Sequence, residues 1–180
     1  MSIYGCDPVL GDFVIDECPK LPGQIRAFAA IKCDVFDTWV DWTTIAEWDA
    51  AELAGTAKLF HLSSGTYTEP SEATVNGHGN SDTLLVNLGH SATLAVRGLT
   101  SANRTFMNNL NQSTVWHCAL HVGEIGSADA VQLISTVPVN WVFAPVVEEG
   151  KDTLAEWKGK VNWRTIDIPL IEAAPATLYT

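Results

Sequence analysis

Apolar and polar residues alternate with a period of two along most of this chain, and a helical period appears in only two places. The cleanest alternation is "VWHCALHV", where Trp116, Cys118, Leu120 and Val122 fall on one face and His117, Ala119 and His121 on the other. "KVNWRTIDI" repeats it, with Val161, Trp163 and Thr165 inward and Lys160, Asn162 and Arg164 outward, and "AVQLISTVPVNWVF" supplies further strand. "IRAFAAIKCDVF", Ile25 to Phe36, predicts the first strand. In "AKLFHLSSGTYT" Leu59 and His61 oppose Phe60 and Leu62, and the extended chain continues past Pro70 through "SEATVN". "TLLVNL" and "SATLAV" each place alternate residues on one face, and the glycine of "LGHS" between them predicts a bulge or tight bend at Gly89.

The first helical stretch is "DWTTIAEWDAAELAG": Thr44 and Glu47 have capping-box spacing, Ile45, Ala46 and Leu53 share a face with Trp48 at its margin, and Gly55 stops it. The second is "SANRTFMNNLNQ", short and of poor propensity, with Phe106, Met107 and Leu110 inward. The expected fold class is therefore mainly β: an antiparallel β-sandwich or barrel with one or two short α-helices. Its core should contain Trp116, Leu120, Val122, Trp141, Val161 and Trp163. Residues 1–24 are broken by Pro19, Pro22 and Gly23 and read as an extended N-terminal arm, residues 25–168 as the β-rich domain and 169–180 as a C-terminal tail. No repeat of 20 to 50 residues is visible, which argues against a solenoid or propeller.

Composition narrows the function. The 180 residues are 47% hydrophobic and 17% charged, so a folded domain is expected, and 21 acids against 10 bases leave a net charge of −11 that opposes gripping nucleic acid or an anionic membrane. The start, "MSIYGCDPVLGDF", has neither the basic nor the apolar region of a secretory signal, and no apolar run approaches the ~18 residues of a membrane span, so cytoplasmic synthesis is expected. Cys6, Cys18, Cys33 and Cys118 are spaced too irregularly for a zinc knuckle and read as thiols, with Cys118 in the core.

The candidates for chemistry are few. His117 and His121 have HxxxH separation, but on a strand four residues span about 13 Å, too far for one ion. His78 and His90 lie beside glycines and read as marking the ends of hairpin strands. Nucleophile-elbow, P-loop, dinucleotide-binding and HExxH patterns are all missing. Adjacent Glu148 and Glu149 would point apart on an extended chain, and Trp39 and Trp42 could form a sugar-stacking platform. The expectation is no catalytic residue, no cofactor and no metal.

The element order carries a resemblance. An extended arm, a helix before a long hairpin ("LFHLSSGTYTEPSEATVNGHGN"), a helix between strands ("LTSANRTFMNNLNQSTVW") and an acidic balance make residues 25–168 similar to the tail-tube proteins of long-tailed bacteriophages, whose relatives form the inner tubes of contractile injection systems. The resemblance implies a sandwich or barrel subunit that closes into hexameric rings, which stack with other virion proteins into a conduit that DNA traverses without specific binding, assembled in the host cytoplasm with no membrane partner. Inter-subunit contact is expected on the arm (Ile3, Tyr4, Val9, Leu10, Phe13 and Val14) and on the hairpin (Thr66, Tyr67, Thr68 and Val75), because both combine apolar or β-forming residues with too little local sequence to bury or pair them. Neck rings and capsid decoration proteins share the architecture, and a sugar-binding β-sandwich is the alternative outside the virion.

Overall fold

The structure, a computed structural model, describes residues 24–62, 64–76, 83–147 and 155–179. Among these residues nine strands form two antiparallel sheets. Sheet A has the order β2 (Ala57–His61), β1 (Ile25–Lys32), β5 (Trp116–Val122), β6 (Val131–Ile134) and β9 (Leu170–Ala173). Sheet B has the order β3 (Ser64–Asn76), β4 (Thr83–Arg97), β8 (Glu156–Thr165) and β7 (Asn140–Val146). The chain is mainly β, and of the two expected architectures it adopts the sandwich, with no barrel closure between the sheets. After Ile134 it leaves sheet A and crosses to sheet B at Asn140, with Val139 buried on the way.

The core between the sheets is built from the inward phases. Phe28 and Leu120 of sheet A meet Leu94, Trp141, Val161 and Trp163 of sheet B, while Trp116 and Val122 are half-buried against the same cluster. Cys118 is fully buried there as a free thiol. Sheet A is also covered on its other face. Ala27, Ala29 and Ile31 of β1 and Ala119 of β5 pack under α1 (Cys33–Phe36), α2 (Ile45–Leu53) and the C-terminal Leu178 and Tyr179, so the layers run helices, sheet A, sheet B. Residues 169–179, within the segment read as a tail, thus contribute both strand β9, paired with β6, and the buried side chains of Ala174, Pro175, Leu178 and Tyr179.

Local expectations in the first strand, in α2 and in the hairpin need correction. The first strand ends at Lys32 instead of Phe36: an Asp34 carboxylate oxygen accepts from the Val35 N–H and starts a helical turn that lays Phe36 against His117. In α2 the buried residues are Trp48 and Ala51, while Leu53 is 92% exposed, because the Trp48 indole fills the second core and donates to the Trp42 carbonyl at 3.0 Å. The capping box does not form either. The Thr44 hydroxyl donates to Asp41, and the Glu47 carboxylate accepts from the Val40 and Asp41 amides at 3.2 and 3.1 Å, tying the helix to the loop before it.

The third correction concerns the hairpin. β4 runs unbroken through Gly89, and the irregularity near it lies on β3, where three steps from Thr68 to Ser71 face two from Ser91 to Gly89. Gly89 answers a close approach, since a Cβ there would sit 2.5 Å from Ser71 Oγ. Gly159 is the stricter case, as a Cβ would run into the Val142 carbonyl oxygen and the Phe143 ring. The helix α3 (Ser101–Asn111) forms as expected, capped by the Thr100 hydroxyl accepting from Asn103 N–H and burying Met107 and Leu110. Its last residue closes the free edge of β7: the Asn111 amide donates to the Phe143 carbonyl and accepts from the Phe143 N–H, both at 2.8 Å.

Candidate functional site

His117 and His121 share one face of β5, as the alternation requires, and both are buried beneath the helical layer. His117 stacks on Phe36 with ring centroids 3.7 Å apart and its Nδ1 lies 3.0 Å from the Ser135 carbonyl oxygen, to which it donates. His121 meets the edge of Tyr179. His90 is in the middle of β4, not at a strand end: it is buried, stacked on Trp163, with Nδ1 2.5 Å from the Tyr67 hydroxyl. Burial lowers the pKa of all three imidazoles and raises that of the Tyr67 and Tyr179 phenols, so these rings are held neutral near pH 7. His78, like Glu148 and Glu149, lies outside the described residues. Among the described residues no three His, Cys, Asp or Glu side chains come together as metal ligands, and no helix is long and apolar enough to cross a membrane.

The tryptophan platform is also accounted for by packing. Trp39 and Trp42 stack on each other at 4.5 Å and 4°, and Trp48 tilts against both, so each of the two rings gives a face to the other.

Among the described residues, the outer face of sheet B is a broad surface open to solvent. Registers across sheet B set side by side Thr66, Thr93, Lys160 and Val142; then Thr68, Ser91, Asn162 and Asn140; then Ser71, Gly89 and Arg164. These residues point away from the core, since their neighbours in the chain, Ala92, Leu94, Val161, Trp163 and Trp141, point into it. Ser71, Gly89, Ser91, Asn140, Asn162 and Arg164 line a hollow of about 570 Å³ on this face. β3 is its edge strand. Of the expected contact residues, Thr66 and Thr68 are exposed on it, while Tyr67 turns inward against the core and His90; Val75 takes its place in the β3–β4 ladder opposite Leu84. Ile3, Tyr4, Val9, Leu10, Phe13 and Val14 lie outside the described residues.

No protein-family model matches this chain, and neither does any curated protein or solved structure. The surface therefore has to be read from its own chemistry. Two features beyond the sequence-based expectations stand out. Ile166, Ile168, Leu170 and Ile171, leading into and along the edge strand β9, are all exposed; their period-two spacing was visible in "TIDIPLI" but was split between a strand end and a tail. The helical layer from Cys33 to Gly55 contains Asp34, Asp37, Asp41, Glu47, Asp49 and Glu52 and no Lys, Arg or His.

Proposed function

We propose that this chain is a virion structural subunit, a tail-tube type protein that assembles into rings and stacks them into a conduit for DNA, and that it performs no catalysis. The observation that carries the reading is the ladder edge of Ser64–Thr68 on β3, unpaired among the described residues, beside an exposed polar sheet face and matched by a second edge at β9, where Ile171 is exposed and the exposed Ile166 and Ile168 lead into the strand. Unpaired edges of this kind are a hazard for a monomer and a joint for a subunit that continues its sheet into a neighbour. Pro70 and the β3 irregularity limit the stretch able to pair to the residues before them. The acidic balance supports the conduit: a wall of net negative charge repels phosphates, so DNA passes without the ion release that drives sticking.

Negative-stain microscopy of the purified protein tests this. Rings with an open bore, alone or stacked, are the expected result. A protein that stays monomeric at high concentration and binds glycans would replace the reading with a sugar-binding sandwich. Closed rings that never stack would favour a neck or decoration component.

A further inference from the structure

Charge is distributed very unevenly between the two poles of the layered fold. On the outer-face rungs that join β4 to β8 lie Arg97, Lys158, Lys160 and Arg164, four of the chain's 10 basic residues, and one acid, Glu156. Glu156 bonds to its neighbour Lys158 at 3.4 Å. Lys160 and Arg164 are exposed and make no ion pair among the described residues. At the far side of the molecule, beyond sheet A, the helical layer carries six acids and no base, of which, among the described residues, only Asp34 has a cationic partner, Lys32. Asp49 and Glu52 on α2 are exposed, next to the protruding Leu53. In a chain with twice as many acids as bases, a basic face opposite a purely acidic layer is a segregation that a second copy of the same chain complements.

We propose that copies join head to tail, the acidic α1–α2 layer of one seated on the basic outer face of sheet B of the next. This deepens the assembly reading above and rests on it only in taking the partner to be a second copy. Because donor and acceptor faces differ, each contact leaves one face free at either end, and the association continues without closing on a pair. Its electrostatic part is screened by salt, since the Debye length falls from about 8 Å at physiological strength to about 3 Å at 1 M.

The experiment uses two full-length double variants, Lys160→Glu with Arg164→Glu, and Asp49→Lys with Glu52→Lys, checked for folding by circular dichroism; Lys160→Gln with Arg164→Gln serves if the reversal perturbs the fold. Light scattering and microscopy read assembly. Each reversal alone should raise the concentration needed for assembly by about tenfold or more, because like charges then face each other. An equal mixture of the two should assemble again, as every contact in an alternating array is complementary. Variants that assemble like the parent, or a mixture that stays dispersed, overturn the proposal while leaving rings and tubes intact. Charge-dependent filaments without a bore would uphold the contact and sink the tube.

Discussion

Replacing Asn111 tests how a helix secures the edge of a sheet. Its amide is the last element of α3 and takes both backbone groups of Phe143, each at 2.8 Å, so it acts as one residue of a neighbouring strand. The orientation of the amide is forced, because the Phe143 N–H can only donate and its carbonyl only accept. Asn111→Ala leaves both groups without a protein partner. A buried peptide group stripped of its partner costs about 1 to 3 kcal/mol. Phe143 is 4% exposed, yet β7 is an edge where water can approach, which puts the sum near the low end, about 2 to 3 kcal/mol. For a chain of this size that is a fall in Tm of about 5 to 10 °C. Asn111→Asp separates the hydrogen bonds from mere packing: it keeps the acceptor but sets a carboxylate against the Phe143 carbonyl, so it should be at least as damaging at pH 7 and recover toward wild type near pH 4, where a protonated carboxyl can donate. Urea and thermal unfolding at both pH values decide it. A loss under about 0.5 kcal/mol for Asn111→Ala, or an Asp variant indifferent to pH, would show that the clamp contributes nothing to docking.

Three further outcomes are expected. Since burial lowers the pKa of His90, His117 and His121, the unfolded chain binds protons that the folded chain refuses; stability is full above the ordinary imidazole value of about 6.5 and falls as pH drops through it, by at most about 1.4 kcal/mol per pH unit for each ring. His121→Phe, which removes a buried imidazole held neutral by desolvation, should leave stability at pH 7.5 equal or higher and flatten the decline between pH 6.5 and 5 in urea titrations; an unchanged slope would contradict the assignment. Gly159→Ala should cost about 1 to 3 kcal/mol because the Val142 backbone cannot withdraw, whereas Gly89→Ala should cost less because the Ser71 hydroxyl can rotate away, and the reverse order in chemical denaturation would refute the geometry. Trp48→Ala should cost about 3 to 5 kcal/mol and Leu53→Ala almost nothing, a contrast in thermal unfolding that checks which face of α2 is buried.

Where side chains alternated, sequence and structure agree, because a pleated strand leaves no other way to bury one set: Val161, Trp163 and Thr165 are buried and Lys160 and Arg164 are not. The face of α2 was misjudged for the opposite reason. A short helix rich in alanine has a weak apolar stripe, and its orientation is set by where one indole fits, which depends on sheet A beneath it. His90 reads as a strand end because glycine precedes it, but that glycine answers a serine eighteen residues away across the hairpin, a contact that neighbours in sequence do not reveal. The charged faces were equally hidden. Arg97, Lys160 and Arg164 are scattered along the chain and become one surface only through the β4–β8 register.

Both faces of β1 are covered in the finished fold, and its ladder partner β5 follows much later: Ala29 pairs with Ala119, 90 residues on. At about 5 to 20 residues per second, translation of that interval takes about 5 to 18 s. During this time "IRAFAAIK" can pair with β2 but lacks β5, its partner on the other edge. Rapid synthesis from an abundant message would fill the cell with such half-made sheets, each able to recruit another nascent chain. Yield of this protein should therefore depend on holdase chaperones and on growth temperature more than its final stability would suggest.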